Sequence, residues 1–376
     1  MNKSSLKKYL INLAIIVIIG GASIYISIGN QFQSTIESLR HCHLKWLFIV
    51  FILMGIYYLI NALNLTIFAR VYKKDYKLSQ GIVNSMAGIF FNGVTPMASG
   101  GQFYQVYAFN KQGIKATYSS SILLMVFIVY QSVLVFYTSL IMIFRFAYFR
   151  SIYSGFFSLA VFGFIINLTV ITSLFLGAKS KRLQNFFCNK VIKLLAKVHI
   201  VKNYYETKTR TERKLADFRI ELNLLQKNRP VLIQSIILNF LKLTVLYSIT
   251  FFCAKAMGAQ ITYHSFLDLL GITSFVYLIS DFVPLPGASG GSEGTFFILL
   301  SVFLKGTTSA TLLVWRFSTY YLGLIAGGLT ITFAKELHTK KNDEKQNEYY
   351  DQSVTGVSGD ILIEDIDEIG LEDFKK

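Results

Sequence analysis

Apolar stretches recur along this chain with few polar interruptions. Runs at 10–28, 46–68, 122–144, 152–176, 231–254 and 311–333 each approach the ~20 residues that a helix needs to cross about 30 Å of hydrocarbon. Two further apolar segments, about 80–110 and 264–304, are interrupted. The first contains Pro96-Met97-Ala98-Ser99-Gly100-Gly101. The second contains Pro286-Gly287-Ala288-Ser289-Gly290-Gly291, 190 residues later. Proline removes a backbone donor and glycine weakens helix geometry, so a helix entering either segment breaks there. Broken backbone at membrane depth survives only where protein buries it or where it lines a cavity. The pattern predicts an all-α, polytopic membrane bundle of about six full spans plus two broken or re-entrant helical hairpins.

Composition agrees: 53% of the 376 residues are hydrophobic, and three of the four prolines (Pro96, Pro284, Pro286) sit at the two breaks. The basic start, with Lys3, Lys7 and Lys8, precedes an apolar run too long for a signal peptide, so an uncleaved first span is expected. Three cysteines, Cys42, Cys188 and Cys253, lack metal or redox spacing. The cluster His41-Cys42-His43 reads as the cap of a span, and neither a metal nor another cofactor is expected.

The net charge of +16 is unevenly distributed. Twelve of the 21 acidic residues lie in 335–376, leaving nine before them. Basic residues gather in 3–8, 70–77, 111–115, 179–229 and 335–341, which the positive-inside rule assigns to the cytoplasm. The excess is topological and calls for no nucleic-acid partner. With both termini cytoplasmic, segment 80–110 begins and ends inside, whereas 264–304 begins and ends outside. The hexapeptides then enter from opposite faces, the arrangement of inverted repeats whose broken helices meet near the midplane.

The sequence divides into a membrane domain, 1–339, and an acidic tail, 340–376, expected to be disordered. Within the former, 179–229 is basic. Phe186, Val191, Leu194, Leu195 and Val198 alternate there with Lys190, Lys193 and Lys197 at helical spacing. Such a helix suits the anionic inner leaflet, and a solvated loop with helical content would have the same topology.

At membrane depth few ionisable groups remain: Asp268, Asp281, Glu293, Lys242 and Arg316. A charge at the centre of a span costs about 2.5–3.5 kcal/mol, which makes each a functional candidate. Asp281 and Glu293 bracket the second break, and either could pair with Arg316. A helix restarting after Ser99-Gly100-Gly101 or Ser289-Gly290-Gly291 points free N–H groups at the break, which suits a phosphate. Those residues, with Gln102, Asp281, Glu293 and Arg316, form the expected substrate site; Pro96, Pro284 and Pro286 set the breaks. Gln105, Tyr104, Tyr107 and Gln131 either line a polar groove or join helices by hydrogen bonds. Gly287-Ala288-Ser289-Gly290-Gly291 satisfies G-x-S-x-G, but a nucleophile elbow needs a strand–turn–helix context. The P-loop Lys-Ser/Thr is also missing, so no catalytic residue is assigned.

Asn92-Gly93-Val94-Thr95-Pro96 with Ser99-Gly100-Gly101-Gln102, Pro284-Leu285-Pro286-Gly287 with Gly290-Gly291-Ser292-Glu293, and Arg316 with Tyr320-Tyr321 and Gly323 resemble one family. It is the lysylphosphatidylglycerol synthase transmembrane family, the flippase-like membrane half of the multiple peptide resistance factor proteins. The resemblance covers roughly 8–335. It implies a bacterial inner-membrane protein that moves aminoacylated or otherwise modified phospholipids between leaflets, with a role in resistance to cationic antimicrobial peptides. Bifunctional relatives carry a soluble domain that transfers lysine from lysyl-tRNA; here only the acidic tail follows the last span, so translocation rather than lysyl transfer is expected. Many relatives place an arginine where Gln131 stands, which widens the lipid class to glycolipids and other phospholipids. Two alternatives remain open: a phosphatidylglycerol lysyltransferase, and a scaffold for a lipid-modifying glycosyltransferase. A homo-oligomer or a lipid-modifying enzyme would be the protein partner.

Overall fold

The computed structural model describes residues 32–152, 204–281 and 283–334, with isolated positions between 161 and 193. The expected first span (10–28), most of that at 152–176, nearly all of the amphipathic stretch 179–198 and the tail 340–376 lie outside the described residues. Four stretches are long and apolar enough to cross a membrane: Leu44–Tyr72, Tyr118–Arg145, Arg229–Ala256 and Pro286–Phe333. They contain the other four expected spans.

Among the described residues every regular element is helical. A short helix, α1 (Phe32–Arg40), leads into α2 (Leu44–Tyr72). The first interrupted segment is α3 (Leu78–Val94) and α4 (Gly100–Lys111), followed by the long α5 (Ala116–Ile152). The polar α6 (Tyr204–Lys227) forms the end of the basic segment, and Lys208 pairs with Glu212 one turn on. Then come α7 (Arg229–Ala256) and the second interrupted segment, α8 (Phe266–Ser280) and α9 (Gly291–Leu304). Helices α10 (Thr308–Arg316) and α11 (Leu322–Phe333) close the chain, joined through a π-helical turn at Phe317–Tyr321. Pro230 occupies the first turn of α7, where its missing N–H has no helical partner to lose.

Helix α2 packs antiparallel along α7. His43 N–H donates to Ala256 O at 2.8 Å at one end, and Ser235 Oγ donates to Asn64 Oδ1 at 2.7 Å towards the other. Helix α3 runs antiparallel to α2, with Asn61 Nδ2 on Ser85 Oγ at 2.8 Å and Gly81 against Thr66. Its other side meets α11, where Gly327 lies against Met86 O and the Phe90 side chain, so close that a Cβ would stand 2.6 Å from the carbonyl. Small residues allow this approach; without a hydrophobic drive between helices in lipid, close packing and interhelical hydrogen bonds supply the cohesion. Helix α8 folds back on α7 through Phe251–Phe266 and Tyr247–Tyr277 ring contacts at 5.3 and 5.5 Å. Trp315, almost wholly buried, touches Phe296 and Tyr277 and so ties α10 to α9 and α8.

Large apolar side chains remain exposed along the outside: Leu44, Phe48, Ile52, Ile56 and Leu59 on α2, and Ile233, Ile236, Ile237 and Phe240 on α7. Around a helix buried on its other face, such a stripe is a lipid-facing surface.

Candidate functional site

Each interrupted segment is a helical hairpin. Phe91 stacks on Tyr104, and Gln112 Nε2 donates to Gln80 O, which fixes α3 and α4 side by side; α8 and α9 pack in the same way. At about 1.5 Å per residue, arms of 17, 12, 15 and 14 residues fall short of the ~30 Å hydrocarbon.

The two hexapeptides follow the same backbone course over their Pro-x-Ala turns. The residue before each proline is extended, Thr95 at φ −116°, ψ 146° and Leu285 at φ −95°, ψ 151°, as the ring sterically demands. The next two residues after proline are left-handed in both: Met97 (φ 53°) and Ala98 (49°), Gly287 (59°) and Ala288 (53°). Ser99 and Ser289 each donate back to the proline carbonyl, the N–H at 3.2 Å in both and the hydroxyl at 2.9 and 3.0 Å, and there the two backbones part, Ser99 at ψ −22° leading straight into α4 and Ser289 at ψ 138°. Left-handed backbone with a Cβ costs of order 1 kcal/mol per residue. Three of the four non-glycine residues with positive φ among those described lie in these turns. The turns touch each other.

A chain of polar contacts joins them. Glu293, with no exposed surface, sits in the first turn of α9. Its Oε2 accepts from Gly290 N at 2.7 Å and Ser292 Oγ at 2.8 Å, while Oε1 lies 2.6 Å from Arg316 Nε. Arg316, also buried, donates through a terminal nitrogen to Gly287 O at 2.6 Å and Ser289 Oγ at 3.4 Å. Its guanidinium stands 4.1 Å from the Tyr320 ring centroid, and Tyr320 OH donates to Gly93 O, one turn before the first break. Glu293 is thus the partner of Arg316. Gly287 is doubly constrained: positive φ, and a Cβ would stand 2.3 Å from the Tyr320 ring.

Asp281 stands apart. It ends α8, is exposed, and forms no ion pair among the described residues. A carboxylate at a helix C-terminus opposes the macrodipole, so stability does not explain its position. Asp268 instead pairs with Arg145 at 3.2 Å.

Three amides at the breaks are already bonded. Gly100 N–H donates to Thr95 Oγ1 at 2.8 Å, Gly101 N–H to Asn92 Oδ1 at 2.9 Å, and Gly290 N–H to Glu293. Around the first break Pro96, Ser99 and Gln102 are exposed; around the second, Pro284 is exposed while Pro286 and Ser289 are buried and Gly291 packs on Val283. Two polar features had no local sequence signal. One is Gln112, whose Oε1 accepts from Tyr76 OH at 2.7 Å and whose carbonyl accepts from Lys73 Nζ at 2.9 Å. The other is Asn61, which accepts from Lys242, 181 positions away. Groups of three or more His, Cys, Asp or Glu able to hold a metal are absent among the described residues.

Fold and site together define a polytopic α-helical membrane protein built around two interrupted hairpins. Residues 9–327 match the family model of the lysylphosphatidylglycerol synthase TM region, and the chain belongs to that family. Membership relates it to the handling of lysylphosphatidylglycerol. None of the curated proteins compared matches it.

Proposed function

We propose that this protein is a lipid translocator of the bacterial inner membrane, with both termini cytoplasmic, in which the paired helix breaks form the crossing point for a polar head group. One observation carries the reading: the two turns with matching backbones meet and are clasped by Glu293, Arg316, Tyr320 and Gly93. Inversion of the hairpins has support in helix direction. Helix α3 runs antiparallel to α2, as α7 does, whereas α8 turns back against α7; the first arms of the two hairpins therefore point in opposite senses.

A head group crossing the bilayer needs polar partners at mid-depth and a path that the acyl chains need not enter. The clasp supplies a polar centre whose own charges are balanced. Asp281 adds an accessible carboxylate, suited to the amine or hydroxyls of a modified phospholipid, of which lysylphosphatidylglycerol is the candidate that the family suggests. For the lipid to pass, the turns separate, which breaks the contact through Tyr320. The 3.0 Å bond to Gly93 is a single neutral hydrogen bond, worth about 0.5–1.5 kcal/mol, so this polar tie is weak.

The test is reconstitution of the full chain in vesicles containing labelled phosphatidylglycerol or lysylphosphatidylglycerol, with translocation read from loss of outer-leaflet signal. The protein is expected to accelerate exchange and Asp281→Asn to slow it about tenfold or more, at unchanged protein level. Wild-type vesicles exchanging no faster than empty ones would sink the reading.

A further inference from the structure

Two short turns at the base of the first hairpin, 73–77 before α3 and 112–115 after α4, are locked together. Lys73 Nζ donates to the Gln112 carbonyl at 2.9 Å, Tyr76 OH to Gln112 Oε1 at 2.7 Å, and Gln112 Nε2 to Gln80 O at 2.9 Å. Arg70 Nε donates to the Tyr76 carbonyl at 3.0 Å. Tyr76 and Gln112 are buried, the tyrosine against Phe109. The result is a fixed platform. It carries six cations, Arg70, Lys73, Lys74, Lys77, Lys111 and Lys115, and one acid, Asp75. Arg70 and Lys73 bond to neutral carbonyls, which leaves their charge uncompensated. Lys74 and Lys77 are exposed, Lys111 stands 5.7 Å from the Tyr107 ring centroid, and none of the three forms an ion pair among the described residues. A positive-inside bias needs cations near the ends of spans; it does not require them on one rigid surface.

The last helix ends beside this platform. Helix α11 runs antiparallel to α3, with Leu324 against Gly93 and Gly327 against Met86 and Phe90. Six residues on, about 9 Å along the axis, Phe333 stands level with the first turn of α3, which follows Lys77 directly. The sequence beyond, outside the described residues, contains the stretch 360–374, with seven acids, seven large apolar residues and no lysine or arginine among fifteen positions. An acidic segment is repelled by an anionic leaflet, and its apolar side chains favour leaving water. A basic protein surface meets both demands, and one turn from the platform Ile82 on α3 and Tyr107 on α4 are exposed. Asp360 lies 26 positions after Ala334, and a random coil of that length spans about 28 Å, so the platform is within reach. We infer that the acidic segment 360–374 docks on the platform built by the 73–77 and 112–115 turns, with Lys74, Lys77 and Lys111 as its partners. There it covers the base of both arms of the first hairpin. The inference stands whether or not the protein moves lipid.

The experiment is limited digestion of the purified full chain in a neutral detergent by a glutamate-specific protease. Cleavage after Glu364, Glu368 and Glu372 is followed by mass, with a free peptide of residues 358–376 as the unprotected reference. Tethering gives a millimolar effective concentration, so a contact of about 0.1 mM affinity already slows cleavage about tenfold. That protection is expected at low salt and falls to within about twofold of the peptide at about 1 M salt, where the screening length is about 3 Å. The triple variant Lys74→Gln, Lys77→Gln, Lys111→Gln leaves the Tyr76–Gln112 lock in place and is expected to abolish the protection. Exchanging charges, Lys74→Asp and Lys77→Asp against Asp365→Lys and Asp367→Lys, restores it. Wild-type cleavage at the rate of the peptide overturns the inference. Protection that survives in the triple variant also overturns it, since the segment would then be shielded by itself or by detergent. A wild-type segment cut freely, with added phosphatidylglycerol retained by the wild type and lost by the triple variant, makes the platform a lipid head-group surface and overturns it too.

Discussion

At the scale of the residue, Glu293 and Arg316 illustrate why a buried charge pair is fragile. Both are desolvated, and both use their remaining capacity on the second break: the carboxylate on Gly290 and Ser292, the guanidinium on Gly287 and Ser289. Removing one partner leaves the other charge buried and unmatched, at a cost of about 3–5 kcal/mol. Glu293→Gln and Arg316→Met are each expected to lower the unfolding midpoint in detergent markedly, with the double variant less damaged than the sum of the two. Additive losses would show that the pair is not coupled. Asp281→Asn, exposed and unpaired, is expected to change stability by less than about 1 kcal/mol while impairing transport. The same thermal measurement separates the two carboxylates, one holding the break and the other facing the path. Sequence alone left both as possible partners for Arg316, because Asp281 and Glu293 flank the same prolines. The turn decides between them: the left-handed pair Gly287-Ala288 folds the start of α9 back toward α10, and Asp281 remains on the far arm.

At the scale of the element, the hexapeptides were legible as breaks because proline and two glycines in an apolar run leave a helix little choice. The occupancy of the restarted helix ends was not. Asn92 and Thr95, nine and five positions back, reach the Gly101 and Gly100 amides only because Met97 and Ala98 take left-handed backbone, a conformation that neither residue type announces. Gly287 was readable as a break but not as the floor beneath the Tyr320 ring. Gly287→Ala is expected to force that ring away, costing about 1–3 kcal/mol, and to impair transport; Gly291→Ala meets the stiff side chain of Val283 and is expected to destabilise comparably. A Gly287→Ala variant with unchanged stability would argue against the ring contact. The π-helical turn at Phe317–Tyr321 lies where Arg316 and Tyr320 must face the breaks, in keeping with the tendency of such turns to mark functional sites.

At the scale of the whole molecule, apolar length and charge distribution were enough to read an all-helical membrane protein, and family membership agrees. The partnership of distant helices was beyond them. Asn61 with Lys242, Asn64 with Ser235 and Gly93 with Tyr320 are 181, 171 and 227 positions apart, and periodicity along a helix that is apolar all round does not say which face meets which neighbour. The last of these, with Arg316 bound to Gly287, ties the two hairpins together, a juxtaposition with a direct chemical consequence. In a background lacking Cys42, Cys188 and Cys253, cysteine pairs placed across 96–98 and 286–288 should include some that crosslink efficiently under mild oxidation, whereas pairs joining either turn to the exposed stripe of α2 should not.

The most direct measurement combines that crosslink with transport. Vesicles carrying a crosslinkable pair across the two turns are assayed for lipid exchange when oxidised and again after reduction. If the breaks must part for a head group to cross, oxidation stops the exchange and reduction restores it. Oxidised protein that is fully crosslinked yet moves lipid at the reduced rate would contradict the account.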